Sequence, residues 1–301
     1  FRCTKCQLLQ INHAIDHAEV FHKNYPYKGG ITKLLKQYLH STSAYVRKKF
    51  RFTKAKPFII DIGSNDGTLL QGFKNKNFEV LGVEPTNIAK IANKRGIKTI
   101  QNFFEMDVAK KILKKYGKVD VVTGTNVFAH VNKLDTFMRG VKLLLNSKEG
   151  IFVTESHYAA NIIKDLQFDS IYHEHLRFFL LKPLIKLMQS YNFKVIDAMQ
   201  IPNYGGSIRI VATLNKEIKV SKNVKKILSS EEKKDFYSSK KYEKFREDVF
   251  KAKENLMNKL WELKSKNKTI VGAGCPGRSI TLLSFCEINN NLIDYIAEQS
   301  S

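Results

Sequence analysis

Short, uniformly apolar segments alternate with segments of helical periodicity along the first half of the chain. A strand that is apolar on both faces is typical of a parallel sheet covered by helices. The alternation therefore predicts an α/β protein with an open sheet. Predicted strands occupy residues 58–62, 79–85, 98–100, 119–126 and 150–155, and helical patterns occupy residues 31–50, 87–95 and 141–145.

The order of elements changes after a predicted helix at residues 183–191. Two apolar segments, 193–198 and 207–213, are joined by a glycine-containing turn without a helix, which predicts an antiparallel pair at the edge of the sheet. Residues 221–266 are highly charged with one apolar face, a pattern typical of connecting helices. A last strand, turn and helix begin near residue 267.

The first strand runs into a turn whose glycines and acids indicate a nucleotide-binding site. Asp61, Gly63 and Gly67 form the pattern D-x-G-x-x-x-G. Gly63 allows a sharp turn, and Gly67 brings the following helix close to the sheet. An acid in this turn repels a pyrophosphate and suits a ligand with a cationic, amino-acid-like end. Glu84 ends the second strand, where a carboxylate accepts both hydroxyls of a ribose.

Further polar residues follow the carboxyl ends of later strands. Asn126 and His130 follow the strand at 119–126, and His157 follows the strand at 150–155. Ligands of open α/β sheets collect at this edge. These three residues are therefore candidates for contact with a cofactor or a substrate.

Residues 172–175 carry a phenol, a carboxylate and two imidazoles, from Tyr172, His173, Glu174 and His175. Such a density of ionisable groups indicates acid–base chemistry. The spacing differs from the H-E-x-x-H of a helical zinc site. The alternative interpretation is a polar network that supports a loop.

A second glycine motif lies near the end of the sequence. Gly272, Gly274 and Gly277 form G-x-G-x-x-G after a strand, the pattern of a dinucleotide-binding turn. Only one βαβ half follows from this motif to Ser301, which is too little for an NAD site, and Pro276 is unusual within it.

The composition limits which classes of protein this chain can belong to. With 301 residues and 43% hydrophobic content, the chain can bury one large core or two modest ones. The formal net charge is +23, but only nine of the 51 basic residues are arginines, and the lysines are scattered over helical positions. This argues against a phosphate-reading surface. No apolar run approaches about eighteen residues, and nothing resembles a signal peptide. We expect a cytoplasmic monomer that binds neither nucleic acid nor a membrane.

Cys3 and Cys6 form a C-x-x-C knuckle, which is half of a tetrahedral zinc site. His13, His17 and His22 are possible further ligands, although their spacing fits no established zinc-finger pattern. We expect instead that a second knuckle precedes this sequence in a longer protein. The alternative is a pair of surface cysteines without a metal.

Taken in order, these motifs resemble those of the sugar C-methyltransferases, which act on nucleotide-linked 4-keto deoxysugars. The resemblance covers essentially the whole chain and is most specific at residues 172–175 and at the C-terminal glycine motif with Thr281, Leu282 and Leu283. It implies a class I methyltransferase sheet that binds S-adenosylmethionine. It also implies an N-terminal zinc-binding domain and a C-terminal Rossmann-like domain that helps to hold the nucleotide sugar, both incomplete here.

The resemblance divides the chain and assigns residues to ligands. It implies a partial zinc-binding segment at 1–30, a helical connector at 31–56, the methyltransferase domain at 57–220, a second helical connector at 221–266 and the start of the Rossmann-like domain at 267–301. Contacts with S-adenosylmethionine are expected at Asp61, Gly63, Asn65, Gly67, Glu84, Asn102, Phe103 and Asn126. Contacts with the nucleotide sugar are expected at His130, His157, Tyr204, Arg209, Gly272, Gly274, Gly277 and Arg278.

The chemistry of carbon methylation fits the cluster at 172–175. A carbon beside a ketone becomes a nucleophile only when a base removes its proton while the enolate oxygen is stabilised. We expect His175 to be the base, Tyr172 to donate to the enolate oxygen, and Glu174 to orient a histidine or bind a sugar hydroxyl. Rival hypotheses are an O- or N-methyltransferase, an NAD-dependent sugar oxidoreductase and a non-catalytic nucleotide-binding protein.

Overall fold

The computed structural model describes residues 1–23, 25 and 28–298. Asn24, Pro26 and Tyr27, in the predicted zinc-binding segment, and residues 299–301, at the end of the predicted Rossmann-like domain, lie outside the described part. Within that part, no helix combines the length and apolarity needed to cross a membrane.

The elements follow the predicted alternation closely. The first half contains β1 (Leu9–Gln10), α1 (His17–Val20), α2 (Lys33–Lys49), β2 (Phe58–Ile62), α3 (Thr68–Lys74), β3 (Glu79–Val83), α4 (Ile88–Lys94), β4 (Thr99–Ile100), α5 (Met106–Tyr116), β5 (Val121–Thr125) and α6 (Leu134–Leu144). The second half contains β6 (Ile151–His157), α7 (Ala159–Lys164), β7 (Arg177–Phe178), α8 (Leu181–Ser190), β8 (Lys194–Ile201), β9 (Ser207–Thr213), α9 (Lys222–Lys233), α10 (Ser239–Ser265), β10 (Val271–Ala273), α11 (Gly277–Cys286) and β11 (Tyr295–Ala297).

Seven strands form the central sheet in the order β4-β3-β2-β5-β6-β9-β8. The pairs from β4 to β6 are parallel, whereas β9 is antiparallel to both β6 and β8. This is the class I methyltransferase sheet, so the expected α/β fold and its antiparallel edge pair are confirmed. The uniform burial of β2 and β9 explains why both were visible as continuous apolar segments.

The strand order fixes where a ligand can bind. The chain leaves β2 and turns outward to β3 and β4, then returns to the other side of β2 for β5 and β6. At such a reversal the connections diverge and leave a crevice beyond the carboxyl ends of the strands. The turns after β2, β3, β5 and β6 therefore meet at one edge.

Helix α2, from the segment expected to be a connector, packs against α3 as part of the layer beside the sheet. Its Tyr38 hydroxyl donates to the Glu155 carboxylate on β6, and its Tyr45 hydroxyl donates to Asp197 on β8. Both carboxylates are buried, with 1% exposure. These hydrogen bonds fasten α2 across the antiparallel half of the sheet.

The charged segment predicted at 221–266 forms two helices, α9 and α10. The carboxylate of Glu231 on α9 is 1% exposed and accepts from the Tyr158 hydroxyl at 2.7 Å and the Leu181 amide at 2.6 Å. Because Leu181 begins α8, Glu231 caps that helix from a neighbouring helix. The last elements, β10 and β11, pair in parallel as a separate two-stranded sheet.

Candidate active site

A cavity of about 390 Å³ lies at the carboxyl ends of the central strands. The glycine turn after β2 forms one wall, and the end of β3 adds Glu84. The segment after β5 contributes His130, and residues after β6 contribute Tyr172 and His175. Parts of the N-terminal segment and of the C-terminal turn complete the lining, with His17, Phe21 and Arg278.

The two glycines of the first turn have the backbone conformation that the pattern predicted. Gly63 has φ +69°, and a Cβ atom there would lie 2.3 Å from the Val127 side chain. Gly67 has φ +78° at the start of α3, and its Cβ would lie 3.0 Å from Ile97. Both positions therefore require glycine, one for the turn and one for the close packing of helix on sheet.

Two buried acids flank this turn and differ in their hydrogen bonds. Glu84 accepts from the Asn65 amide at 3.0 Å and from the Thr86 amide and hydroxyl at 3.0 and 2.7 Å. Asp61 accepts from the Thr123 hydroxyl at 2.6 Å. Burial, with a smaller contribution from the charge of Glu84, raises the pKa of Asp61 to about 7.

These features fit S-adenosylmethionine. Burial favours the protonated form of the Asp61 carboxyl, and a cationic ammonium group bound beside it would favour the charged carboxylate. The Ser64 hydroxyl lines the same cavity, is buried, and has no hydrogen-bond partner within the described part of the chain. Phe103 supplies an aromatic wall, and Asn126 lies at the end of β5 as predicted. The residues present therefore offer both charge and unsatisfied polar groups to such a ligand.

Three histidines from separate parts of the sequence meet in the cavity. The His175 ring centroid lies 4.9 Å from that of His130, 4.7 Å from that of His157 and 4.6 Å from that of Tyr172. Tyr204 lies further out, 6.1 Å from His157. The structure thus brings together the predicted base, its phenol neighbour and two histidines predicted to contact a cofactor or a substrate.

Backbone carbonyls fix the tautomers of two of these rings. Nδ1 of His175 lies 2.9 Å from the Ser170 carbonyl, and Nδ1 of His130 lies 2.7 Å from the Glu174 carbonyl. A carbonyl only accepts, so each Nδ1 carries the proton. In the neutral ring the Nε2 of His175 is then left with a lone pair.

Burial keeps these imidazoles neutral. It lowers the pKa of His130 to about 3 and that of His157 to about 3, and the proximity of His175 adds to both shifts. The pKa of His175 is also lowered, mainly by burial. Burial, followed by the charge of Glu174, raises the pKa of Tyr172 to about 12. At neutral pH the cavity therefore holds neutral bases beside a protonated phenol.

Residues 15–23, 25 and 28–30 of the N-terminal segment cover one side of the cavity. His17 packs edge-on against Phe103 with a centroid distance of 4.3 Å, and Phe21 packs against His130 at 5.6 Å. The amide of Gly29 donates to Asn65 at 2.7 Å, and that of Gly30 donates to Asp66 at 3.1 Å. We call this segment the strap.

Several predicted contacts lie away from the cavity. Gly67 and Asn102 do not line it: Gly67 packs behind the turn, and the Asn102 side chain is exposed. Gly272 lies in β10, Gly274 in the turn after it, and Gly277 at the start of α11; none of the three lines the cavity, whereas the next residue, Arg278, does. The sequence did not identify Ser64, Ser156 or Asp169, because a single hydroxyl or acid at a position that no motif specifies carries no local signal.

Arg209 was expected to contact the substrate, and the structure places it elsewhere. It is 3% exposed and does not line the cavity. Its Nε donates to Glu155 at 2.9 Å, and its Nη2 donates to the Tyr38 and Thr42 hydroxyls at 2.9 and 2.8 Å. Arg209 therefore pairs with the buried Glu155 carboxylate where the sheet packs against α2.

Cys3 and Cys6 lie outside the cavity, in the turn before β1. Both thiols are half-buried and free, and the Cys6 amide lies 3.5 Å from Sγ of Cys3. Across residues 1–23, 25 and 28–298, no group of three His, Cys, Asp or Glu side chains is placed to hold a metal ion. Zinc binding at this knuckle stays a prediction.

Two protein families match successive parts of the chain. Residues 34–198 match the family described as a methyltransferase domain, and residues 202–301 match the family described as a C-methyltransferase C-terminal domain. The C-methyltransferase NovU of Streptomyces niveus is 27% identical over 298 residues, which are 98% of this chain and 70% of NovU.

Solved structures of similar fold include magnesium protoporphyrin IX methyltransferase from Synechocystis with bound S-adenosylmethionine. It is 10% identical with a TM-score of 0.48, covering 68% of this chain and 100% of the other. A protein from Pyrococcus horikoshii is 13% identical with a TM-score of 0.49, covering 67% of this chain and 99% of the other.

Proposed function

Because the chain belongs to the S-adenosylmethionine-dependent methyltransferases and carries a C-methyltransferase C-terminal domain, we propose that it methylates carbon beside a ketone. The substrate we propose is a nucleotide-linked 4-keto deoxysugar. The motif resemblance and the relation to a C-methyltransferase support this class of substrate.

The observation that carries the proposal is the state of His175. Its ring lines the cavity that also contains the glycine turn, burial lowers its pKa, and the Ser170 carbonyl accepts the Nδ1 proton, which leaves the lone pair on Nε2. An oxygen or nitrogen acceptor already carries a lone pair, whereas carbon needs a base of this kind.

In the proposed reaction, Nε2 of His175 removes the proton from the carbon next to the ketone. The electrons of that C–H bond form the C=C bond of an enolate, and the ketone oxygen takes the negative charge. The Tyr172 hydroxyl, kept protonated by its raised pKa, donates a hydrogen bond to this oxygen. The resulting nucleophilic carbon is the methyl acceptor.

S-adenosylmethionine, when bound, supplies a methyl group on a positively charged sulfur. We propose that Asp61 binds the ammonium of its methionine end and that Glu84 accepts from the ribose hydroxyls. Phe103 would pack on the adenine. Glu84 is already fixed by Thr86, so its carboxylate is oriented before the cofactor arrives.

The substrate would occupy the side of the cavity lined by His130, His157, Tyr204 and Arg278. Arg278 is the cation that the C-terminal segment contributes there, and a guanidinium suits a phosphate or a sugar oxygen. We retain the division into zinc-binding, methyltransferase and Rossmann-like parts as a proposal.

Locating the transferred methyl group tests the proposed function. The protein is incubated with ¹³C-methyl-labelled S-adenosylmethionine and a panel of 4-keto sugar nucleotides, and the products are analysed by NMR. The proposal expects the label on the carbon next to the ketone. A label on oxygen or nitrogen would contradict it in favour of the rival methyltransferase classes.

A further inference from the structure

Helix α11 of the C-terminal segment packs directly on a short 3₁₀ turn, Phe168–Ser170, that follows α7. The rings of Phe285 and Phe168 lie 5.2 Å apart at 57°. At the other end of the helix, Nη2 of Arg278 forms an ion pair with Oδ1 of Asp169 at 2.7 Å. One apolar and one charged contact therefore hold α11 on this turn.

The third residue of the same turn fixes the candidate base. Ser170 is fully buried, and its carbonyl oxygen lies 2.9 Å from Nδ1 of His175. Three consecutive residues thus have three linked contacts: Phe168 and Asp169 with α11, and Ser170 with the imidazole. A movement of α11 against the turn changes the position of the oxygen that selects the tautomer of His175.

We infer that docking of α11 on the turn positions His175 as a base, and that Phe168 and Asp169 are positioning residues for methyl transfer. This inference rests on the proposed function, because it takes His175 as the base. By this inference, the C-terminal segment positions the base in addition to contacting the substrate. When α11 is undocked, the Ser170 carbonyl no longer holds Nδ1, and the ring is free to place its proton on Nε2.

Two substitutions test whether docking of α11 controls the tautomer of His175 without a general loss of structure. Asp169→Asn removes the charge that pairs with Arg278 while keeping the shape of the side chain, and Phe285→Ala removes the ring contact from α11. Neither residue lines the cavity. Ile280→Ala is the matched control, since it shortens an apolar side chain of the same helix that is 63% exposed.

The test uses the full chain labelled with ¹⁵N-histidine. The signals of His175 are assigned by their loss in His175→Gln. The wild type and Ile280→Ala are expected to show a single Nδ1-protonated tautomer. Asp169→Asn and Phe285→Ala are expected to show mixed tautomers. They should also slow exchange of the ketone-adjacent proton by about tenfold or more, as a misplaced general base would, with unchanged S-adenosylmethionine affinity.

An unchanged single tautomer in both variants would overturn the inference, whatever their rates. Mixed tautomers with exchange at the wild-type rate would support the coupling but show that His175 is not the base. In that case the assignment of His175 as the base fails and the structural link stands, whereas an absence of exchange in the wild type itself would be a failure of the proposed function, so the two failures are distinguishable.

Discussion

Asp61 and Glu84 flank one turn, yet their charges are compensated to different degrees. Amides and a hydroxyl surround Glu84, whereas Asp61 has the Thr123 hydroxyl and a pKa raised to about 7. An acid with this pKa is about half protonated at neutral pH. A cationic ligand therefore binds best above pH 7, where Asp61 is charged.

We predict that S-adenosylmethionine affinity falls as the pH decreases through about 7, because Asp61 takes up a proton and loses its attraction for the ammonium. Asp61→Asn should weaken binding by roughly 1–3 kcal/mol and remove this pH dependence. Calorimetric titration between pH 6 and 8 measures both effects. Glu84→Gln is the control: it should weaken binding and leave the pH dependence in place. A wild-type affinity that is constant over this range would contradict the assignment of Asp61.

The histidines show how local backbone contacts determine chemistry at the residue scale. The sequence indicated the base from the density of ionisable residues at 172–175, but it did not reveal which nitrogen is free. That depends on the Ser170 carbonyl, which is positioned by tertiary packing. Because burial lowers the pKa of His175, the ring remains a base below the usual imidazole pKa of about 6.5.

At the scale of elements, the strap is held to the glycine turn by two adjacent glycines that differ in available space. A Cβ at Gly30 would lie 2.5 Å from the Thr68 hydroxyl and 2.7 Å from the Asp66 carboxylate. A Cβ at Gly29 would meet its nearest atom, Oδ1 of Asn65, at 3.5 Å. Gly30 is therefore the position at which the strap tolerates no side chain.

Gly30→Ala is predicted to displace the strap and weaken S-adenosylmethionine binding, since the strap packs on Phe103 through His17. Overpacking of this kind typically costs about 1–3 kcal/mol. Gly29→Ala is the matched control and should bind within about 0.5 kcal/mol of the wild type. Equal affinities for both variants, measured by calorimetry, would show that the strap does not contribute to the cofactor site.

Arg209 gives a second prediction at this scale, because it joins β9 to α2 through Glu155 and Tyr38. Arg209→Met leaves a buried carboxylate without its cation and should lower the free energy of unfolding by about 3–5 kcal/mol. Denaturant unfolding measures this loss. Arg139→Met is the control, since Arg139 pairs with Asp135 on an exposed helix face and should cost less than about 1 kcal/mol. A normal stability with a raised KM for substrate would restore the original assignment of Arg209.

The sequence predicted the elements that have a local signal. Strands β2, β3 and β9 are rich in apolar residues and were located to within two residues. Strands β1 and β7 have two residues each and exist because they pair with each other across more than 160 positions, so no local period marks them. Helix α5 has the spacing of an amphipathic helix, with Val108 and Ile112 buried, but it was not among the predicted helices.

At the scale of the whole molecule, the site is assembled from parts that are distant in sequence. The glycine turn, the three histidines, the strap and Arg278 come from both ends and the middle of the chain. The two glycine motifs were visible because a turn at a strand end has fixed requirements. The convergence of His130, His157 and His175 follows from the strand order, which no single segment encodes.

The central claim is that His175 removes the proton from the carbon next to the ketone. Exchange of that proton with deuterated water, followed by NMR on a 4-keto sugar nucleotide, tests it most directly. The account predicts exchange with the wild type, a rate at least about 10²-fold lower in His175→Ala with unchanged cofactor affinity, and slower exchange in Tyr172→Phe. Exchange at the full rate in His175→Ala would contradict it and move the base to His130 or His157.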